Sequence, residues 1–336
     1  MDVFSGLKVV ELAQGIAGPF CGKLFAGLGA DVIKLEPPKG DRSRTYGPFI
    51  SDTDNKTESS GTFLYLNTGK RSVTIDLESD KDRSEALSLI NKADVLIDDL
   101  SPKFKEKYNL DFSSLSISNP DLVMASVTPF GQFGPYRDYL ATDMIINAIS
   151  GELYIAGQPE REPLKKGGSL GAYHGGMHSF IGAVSSLITR NRDGVGQTID
   201  VSLMESSSSV IGLPIQRWSY MQTIAQRVGP NGNMWPTGIW PTEDGYILAH
   251  TRPQIDWWAS FCKGADDQPA FQDPRYLSDA DRTQHIDELD GLFQAWLLDH
   301  KKEDVYYRMQ EQGLPFGYVA NASDLLKSPQ LKDRNY

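Results

Sequence analysis

"GLKVVELAQGIAGPFCGKLFAGLGADVIKLEPP", residues 6–38, holds a strand, a turn, a helix and a second strand in one short segment. Residues 7–13 form a short β-rich run, and residues 18–30 then carry apolar side chains at helical spacing. Residues 31–38 return to strand character and stop at the pair Pro37-Pro38. Such a unit predicts two parallel strands joined by a helical crossover. The pattern continues downstream. "RSVTIDL" (71–77) alternates as a strand and "DRSEALSLINKA" (82–93) is an amphipathic helix. "DVLIDDL" (94–100) and "DLVMASVTPFG" (121–131) are further strands. Residues 175–194 read as a mostly apolar helix, followed by a strand within 196–206. Strands alternating with helices predict an α/β fold on a mostly parallel, doubly wound sheet.

From about Ser206 the texture changes. Residues 216–250 are rich in Trp, Pro and Gly, with "PTEDGYI" as a hairpin turn, and residues 286–313 read as two helices. This predicts a large domain over 1–205, a linker over 206–225 and a small α+β domain over 226–325. A chain of 336 residues is long enough for two such cores. The net charge of −11 argues against nucleic acid or an anionic membrane as the main partner. The first residues lack a basic start followed by a long apolar core, and no run of ~18 apolar residues occurs. Cys21 and Cys262 lie far apart with no metal-ligand spacing, which points to a reduced, cytoplasmic protein.

Several motifs carry candidate chemistry. "AQGIAGPF" (13–20) ends a strand and opens a helix, a place where backbone N–H groups can hold an anion. A tight βα turn needing glycine explains it equally well. Lys70 and Arg71 stand at the entry to a strand, and Lys103, Lys105 and Lys107 follow another strand's carboxyl end. Ligands collect at such ends in open α/β sheets, although a charge run is commonly a solvated face. Asp143 opens an apolar run, as a helix cap or as a catalytic carboxylate. His174 and His178 are four apart, but Gly-Gly-Met separates them and no third ligand follows, so no metal is expected. Around them, "SLGAYHGGMHSFIGA" (169–183) reads as a Gly-flanked turn running into a helix, with the inert Ala172 at its centre.

Together these segments resemble the family III coenzyme A transferases, the group that includes formyl-CoA transferase, carnitine CoA-transferase and the 2-methylacyl-CoA racemases. The resemblance rests on residues 6–41, "NTGKRSVTIDL", "ADVLIDDLSP", "ASVTPFGQFGPY", "AISG", "GQTIDVSLME", "EDGYILAH" and "LPFGYVANASDLLKSPQL", in order along the whole chain. It implies a Rossmann-like large domain and a small domain joined by long linkers, in a homodimer of interlocked subunits. Acyl-CoA and a small carboxylic acid are the implied substrates, with no prosthetic group. The CoA-contact positions of the family fall on Ile16, Ala17, Lys70, Arg71, Asp99, Leu100, Lys107 and Thr128. The family often has Asn-Phe where Asp99-Leu100 stands, and a basic residue can occur at the place of Thr128. Relatives continue past "SPQL", so residues 326–336 are expected to begin a linker that returns to the large domain.

The resemblance also explains the alanine. By alignment through "GGMH" (175–178), the nucleophilic aspartate of the transferases falls on Ala172. A carboxylate there attacks an acyl-CoA thioester, and the exchange passes through a mixed anhydride and an aspartyl-CoA thioester. Gly175 and Gly176 are expected to donate backbone N–H groups to the intermediates, and Asp143, Tyr173 and His174 to line the pocket. An alanine methyl does none of the covalent work. Either the lineage has lost the nucleophile or an aspartate has been replaced, and the intact surroundings favour replacement. A racemase of this group uses a His–Asp pair to move an α-proton. Its positions fall on Thr142 and Ala172, so both of its bases are absent. A non-catalytic acyl-CoA-binding subunit is the further alternative.

Overall fold

The computed structural model describes residues 2–51, 55–227, 235–251 and 257–336. Parts of the Trp/Pro/Gly-rich stretch read from the sequence, residues 228–234, lie outside them. The opening unit folds as β1 (Lys8–Leu12), α1 (Ala17–Gly27) and β2 (Asp31–Glu36), with β1 parallel to β2 and Glu11 opposite Lys34. Then follow α2 (Gly61–Asn67), β3 (Arg71–Thr74), α3 (Asp80–Ile90) and β4 (Val95–Asp98). After α4 (Pro102–Tyr108) and α5 (Phe112–Leu115) comes β5 (Val123–Thr128). α6 (Asp143–Ile149) and α7 (Leu170–Asp193) lead to β6 (Thr198–Ser202). The strands form one parallel sheet in the order β3-β2-β1-β4-β5-β6. Chain order reverses between β1 and β4, which opens a crevice beyond their carboxyl ends.

Both sheet faces are covered, and this is why the strands read as nearly unbroken apolar runs. Val9, Val95 and Ile97 pack with Phe25 and Leu187 on one face. Val10 and Leu96 pack with Ala86, Ile90 and Leu115 on the other. Several charged residues within the strands are buried, among them Glu11, Lys34 and Glu36. Lys34 Nζ lies 2.7 Å from Glu11 Oε1, 2.7 Å from Asp41 Oδ2 and 2.7 Å from the Ala13 carbonyl. Asp41 in turn accepts the Gly15 N–H at 2.9 Å, so this cluster fastens the strand pair to the turn after β1.

Glu36 ends β2 beneath Arg44, which donates to it from Nε at 2.7 Å and from Nη2 at 2.9 Å. Burial pushes the Glu36 carboxyl up. The Arg44 guanidinium, the Ser72 hydroxyl and the Asp41 N–H outweigh burial and hold it at about 2, below its ordinary 4.5. A depressed carboxylate stabilises the fold above its unfolded value and loses that contribution as pH falls through its folded value. Stability is therefore expected to decline between about pH 4.5 and 2. Glu36→Gln should flatten that part of the acid-denaturation profile; an unchanged profile would contradict the assignment.

The chain divides into two units, residues 1–156 with 163–226, and residues 157–162 with 227–336. Residues 206–225, expected as a linker, instead hold most of α8 (Leu203–Ser209) and all of α9 (Gly212–Met221), both in the first unit. The Ser202 side chain caps α8 by accepting the Glu205 N–H, so the chain leaves β6 directly into helix. In the second unit, β7 (Gly238–Thr242) and β8 (Gly245–Ala249) make the hairpin read from "PTEDGYI". α10 (Trp257–Gly264), α11 (Asp279–Gln284), α12 (Ile286–Leu298) and α13 (Lys302–Glu311) follow, and β9 (Gly317–Tyr318) pairs with β8. Trp240 and Trp257 belong to an aromatic core with Trp258, Phe261 and Phe293. α14 (Ala322–Lys327) closes the span expected for the small domain, and α15 (Pro329–Asp333) lies in the segment expected to begin a return linker. Among the described residues no helix is long and apolar enough to cross a membrane.

Candidate active site

A cavity of about 570 Å³ opens in the first unit at the reversal between β1 and β4. The turn after β1 contributes Gln14, Gly15, Ile16 and Ala17, and the end of β4 contributes Asp99 and Ser101. Thr128 closes β5, and the segment beyond it brings Arg137, Thr142 and Asp143. Ser169 and Ala172 face the cavity from the first turn of α7, beside Leu203. Of the residues selected by sequence, Ile16, Ala17, Asp99, Lys103, Thr128, Asp143 and Ala172 therefore meet at one place.

The others do not line it, for identifiable reasons. Lys70 is buried and its ammonium is fully used: it donates to Glu11 Oε2 at 2.7 Å, the Pro19 carbonyl at 2.7 Å and Asn67 Oδ1 at 2.9 Å. Arg71 is exposed and forks onto Asp31. Leu100 turns into the apolar core beside β4. Lys105 is buried between Asp98, 3.1 Å away, and Ser126 Oγ at 2.9 Å, so it is neither a solvated charge nor a cavity cation. Lys107 points to solvent and donates to the Tyr108 hydroxyl at 2.7 Å. Lys103 lines the cavity, 3.4 Å from Asp138.

The expected turn around Ala172 is helical. α7 begins at Leu170, so Ala172 is its third residue, and Tyr173, His174, Gly175 and Gly176 lie inside the helix. Ser169 and Ala172 line the cavity, whereas Tyr173 and His174 do not. Tyr173 packs edge-on against Phe20 at 4.9 Å, and the His174 ring also lies off the cavity. His178 Nδ1 sits 3.0 Å from Ser206 Oγ. The N–H groups of Gly175 and Gly176 are inside the helix and bonded along it, which corrects their expected role as donors to a reacting oxygen. Their small size serves packing. A Cβ on Gly176 would stand 2.5 Å from the Ala17 carbonyl, and one on Gly175 2.3 Å from Leu203 Cδ2. Gly176→Val should force α7 away from α1 at a cost of about 1–3 kcal/mol, read by urea denaturation; wild-type stability would refute that packing role.

Among the described residues the N–H groups of Leu170 and Gly171 have no partner, and Ala172 and Tyr173 donate to the Ser169 carbonyl. Thr142 holds the cap position of α6 without a side-chain cap bond. Asp143 is the first helical residue and pairs with Lys165 at 2.8 Å. Two cavity arginines were missed by sequence reading. Arg42 donates through Nη2 to the Gln14 carbonyl at 3.0 Å and to Asp99 Oδ2 at 3.1 Å. Arg137 lies 3.1 Å from Glu106. Each follows turn residues downstream of a strand's carboxyl end, "PPKGDR" and "GPYR", and that position was their available signal. Burial pushes the Asp99 carboxyl up to about 6, against the pull of Arg42, the Gln14 N–H and Lys34 and with the repulsion of Asp98. Among the described residues no group of three or more His, Cys, Asp or Glu is placed to hold a metal.

The parallel sheet with its cavity at the reversal point places the chain in the class of open α/β proteins, whose ligands bind beyond the carboxyl ends of the strands. The comparisons narrow it. The CoA-transferase family III model matches residues 4–336, and the chain belongs to that family. It is 31% identical over 333 residues to the succinate–glutarate CoA-transferase of Agrobacterium fabrum, covering 98% of this chain and 83% of that protein. It is 32% identical over 330 residues to the succinyl-CoA–D-citramalate CoA-transferase of Chloroflexus aurantiacus, covering 96% and 80%. Among solved structures, a CaiB/BaiF family protein from Brucella suis superposes with a TM-score of 0.89 at 33% identity, covering 98% of this chain and 87% of that one.

Proposed function

We propose that the cavity is the acyl-CoA site of a CoA-transferase whose nucleophile position is 172, and that alanine there leaves this chain inactive in covalent exchange. The observation that carries the reading is the placement of Ala172 in the first turn of α7, facing the cavity. With aspartate at 172, the carboxylate attacks the thioester carbonyl and expels CoA thiolate, leaving a mixed anhydride. The thiolate then attacks the aspartyl carbonyl, releasing the donor acid and forming an aspartyl-CoA thioester. The acceptor carboxylate reverses both steps and restores the aspartate. Ile16, Ala17, Asp99 and Thr128 border the bound CoA, and Asp143 borders the acyl group. The two curated relatives carry succinate or succinyl-CoA in their names, which supports small dicarboxylic acids as first substrates to test. An interlocked homodimer in the cytoplasm completes the reading.

A second reading, a non-catalytic acyl-CoA-binding subunit, is favoured by the same methyl group. The experiment that separates them mixes the chain and its Ala172→Asp variant with acyl-CoAs and free acids, following CoA exchange by mass spectrometry. Exchange confined to the aspartate variant supports the transferase. Binding of CoA without exchange in either supports the subunit.

A further inference from the structure

The cations of the first unit differ in what they have left to offer. Lys34, Lys70 and Lys105 are buried and engaged by carboxylates, carbonyls and hydroxyls. Arg44 spends Nε, Nη1 and Nη2 on Glu36 and Glu58. Arg42 is different. Its side chain is 60% exposed and lines the cavity, and only Nη2 is engaged. Nε and Nη1 have no partner among the described residues, so one edge of the guanidinium fork is open. Its position is also fixed by the backbone: Gly15, at φ +80°, leaves the space in which the guanidinium lies, since a Cβ there would stand 2.5 Å from Arg42 Nε. The two groups that hold Arg42 come from opposite sides of the sheet reversal, the Gln14 carbonyl beyond β1 and Asp99 beyond β4.

We propose that Arg42 is a phosphate-binding residue for coenzyme A, held in place by Asp99 in the free protein and turned to a CoA phosphate when the cavity fills. The inference rests on the reading of the cavity as a CoA site. A fork with an open edge matches a phosphate in bidentate fashion, whereas a lysine whose three donors are spent cannot. Asp99 and the phosphate then compete for one guanidinium. Asp99 keeps the arm over the cavity mouth, where it costs little entropy to capture the ligand, and its charge opposes an anion until Arg42 swings across.

The test is calorimetric titration of the full chain with CoA, 3′-dephospho-CoA and pantetheine. Arg42→Gln should weaken CoA binding at least about tenfold and leave pantetheine, which has no phosphate, unchanged. Asp99→Asn removes the competitor, keeps an acceptor for the Gln14 N–H, and should tighten CoA severalfold. If the Arg42→Gln loss persists with 3′-dephospho-CoA, Arg42 serves the diphosphate; if it disappears, it serves the 3′-phosphate. Equal CoA affinity in wild type and Arg42→Gln, or weaker binding in Asp99→Asn, would overturn the proposal. Absence of CoA binding to the wild-type chain would instead overturn the reading of the cavity, and the inference with it.

Discussion

Replacing Ala172 by aspartate is expected to raise CoA exchange between an acyl-CoA and a free acid by at least about 10³-fold, because a covalent route opens where none exists. The site is prepared for a carboxylate. Position 172 lies in the first turn of a 24-residue helix, with the Leu170 and Gly171 N–H groups unpartnered among the described residues. The helix dipole favours an anion there by about 0.3–1 kcal/mol, so the variant should fold at least as well as the parent. Ala17, Val127 and Val201 form a small apolar cluster against Ala172, which keeps water from an anhydride or thioester at that point. Exchange is read by mass spectrometry, and digestion of the protein should reveal the aspartyl-CoA adduct on the peptide carrying residue 172. Ala172→Asn has nearly the same shape and should give no gain. A folded Ala172→Asp protein that binds CoA and exchanges with none of a broad panel of acids would rule out position 172 as the nucleophile site.

The largest expected effect on stability is at Lys34. Burial works against its charge, but the Glu11 and Asp41 carboxylates outweigh burial and hold its pKa above the ordinary lysine value. Lys34→Met keeps much of the volume and leaves those carboxylates facing an apolar side chain. Removing one partner of a buried pair costs about 3–5 kcal/mol, because the remaining charge is left uncompensated. Asp41 suffers most, since Glu11 still has Lys70 at 2.7 Å. The loss should reach the cavity as well, because Asp41 anchors the Gly15 N–H and Lys34 anchors the Ala13 carbonyl. Urea denaturation should show the midpoint falling sharply. Lys34→Met with Asp41→Asn should recover part of it by removing the stranded charge. A loss below about 1 kcal/mol for Lys34→Met would mean that the cluster is solvated and contributes little.

Much of the first unit was legible because its signals are local. Apolar period two or unbroken β-rich runs, helical spacing, and the turn residues between them can each be read within a dozen residues, and they recover β1 through β6 and their crossovers. The cavity's location follows from the same reading, since the carboxyl ends of such strands are where a crevice opens. Individual side chains were less legible. Lys70 stands at a strand entry and falls on a CoA-contact position of the family by resemblance, yet its partner Glu11 lies 59 residues earlier. Arg42 looked unremarkable between Asp41 and Ser43, yet its partner Asp99 lies 57 residues later. The stretch 169–176 looked like a turn because of its glycines. They are helical, and small because α1 and Leu203 come close.

The amino-acid sequence by itself determined the order of strands and helices, the parallel α/β class and the place of Ala172 in the chain, because each depends on residues near one another. Only the tertiary structure decided which cations are spent and which remain open, and which residues of α7 face the cavity. Those depend on the register that sets Glu11 opposite Lys34, on the strand order that brings Gln14 beside Asp99, and on the helical rotation that separates Ala172 from Tyr173. A charge finds its partner through space, and no local pattern of residues encodes that distance.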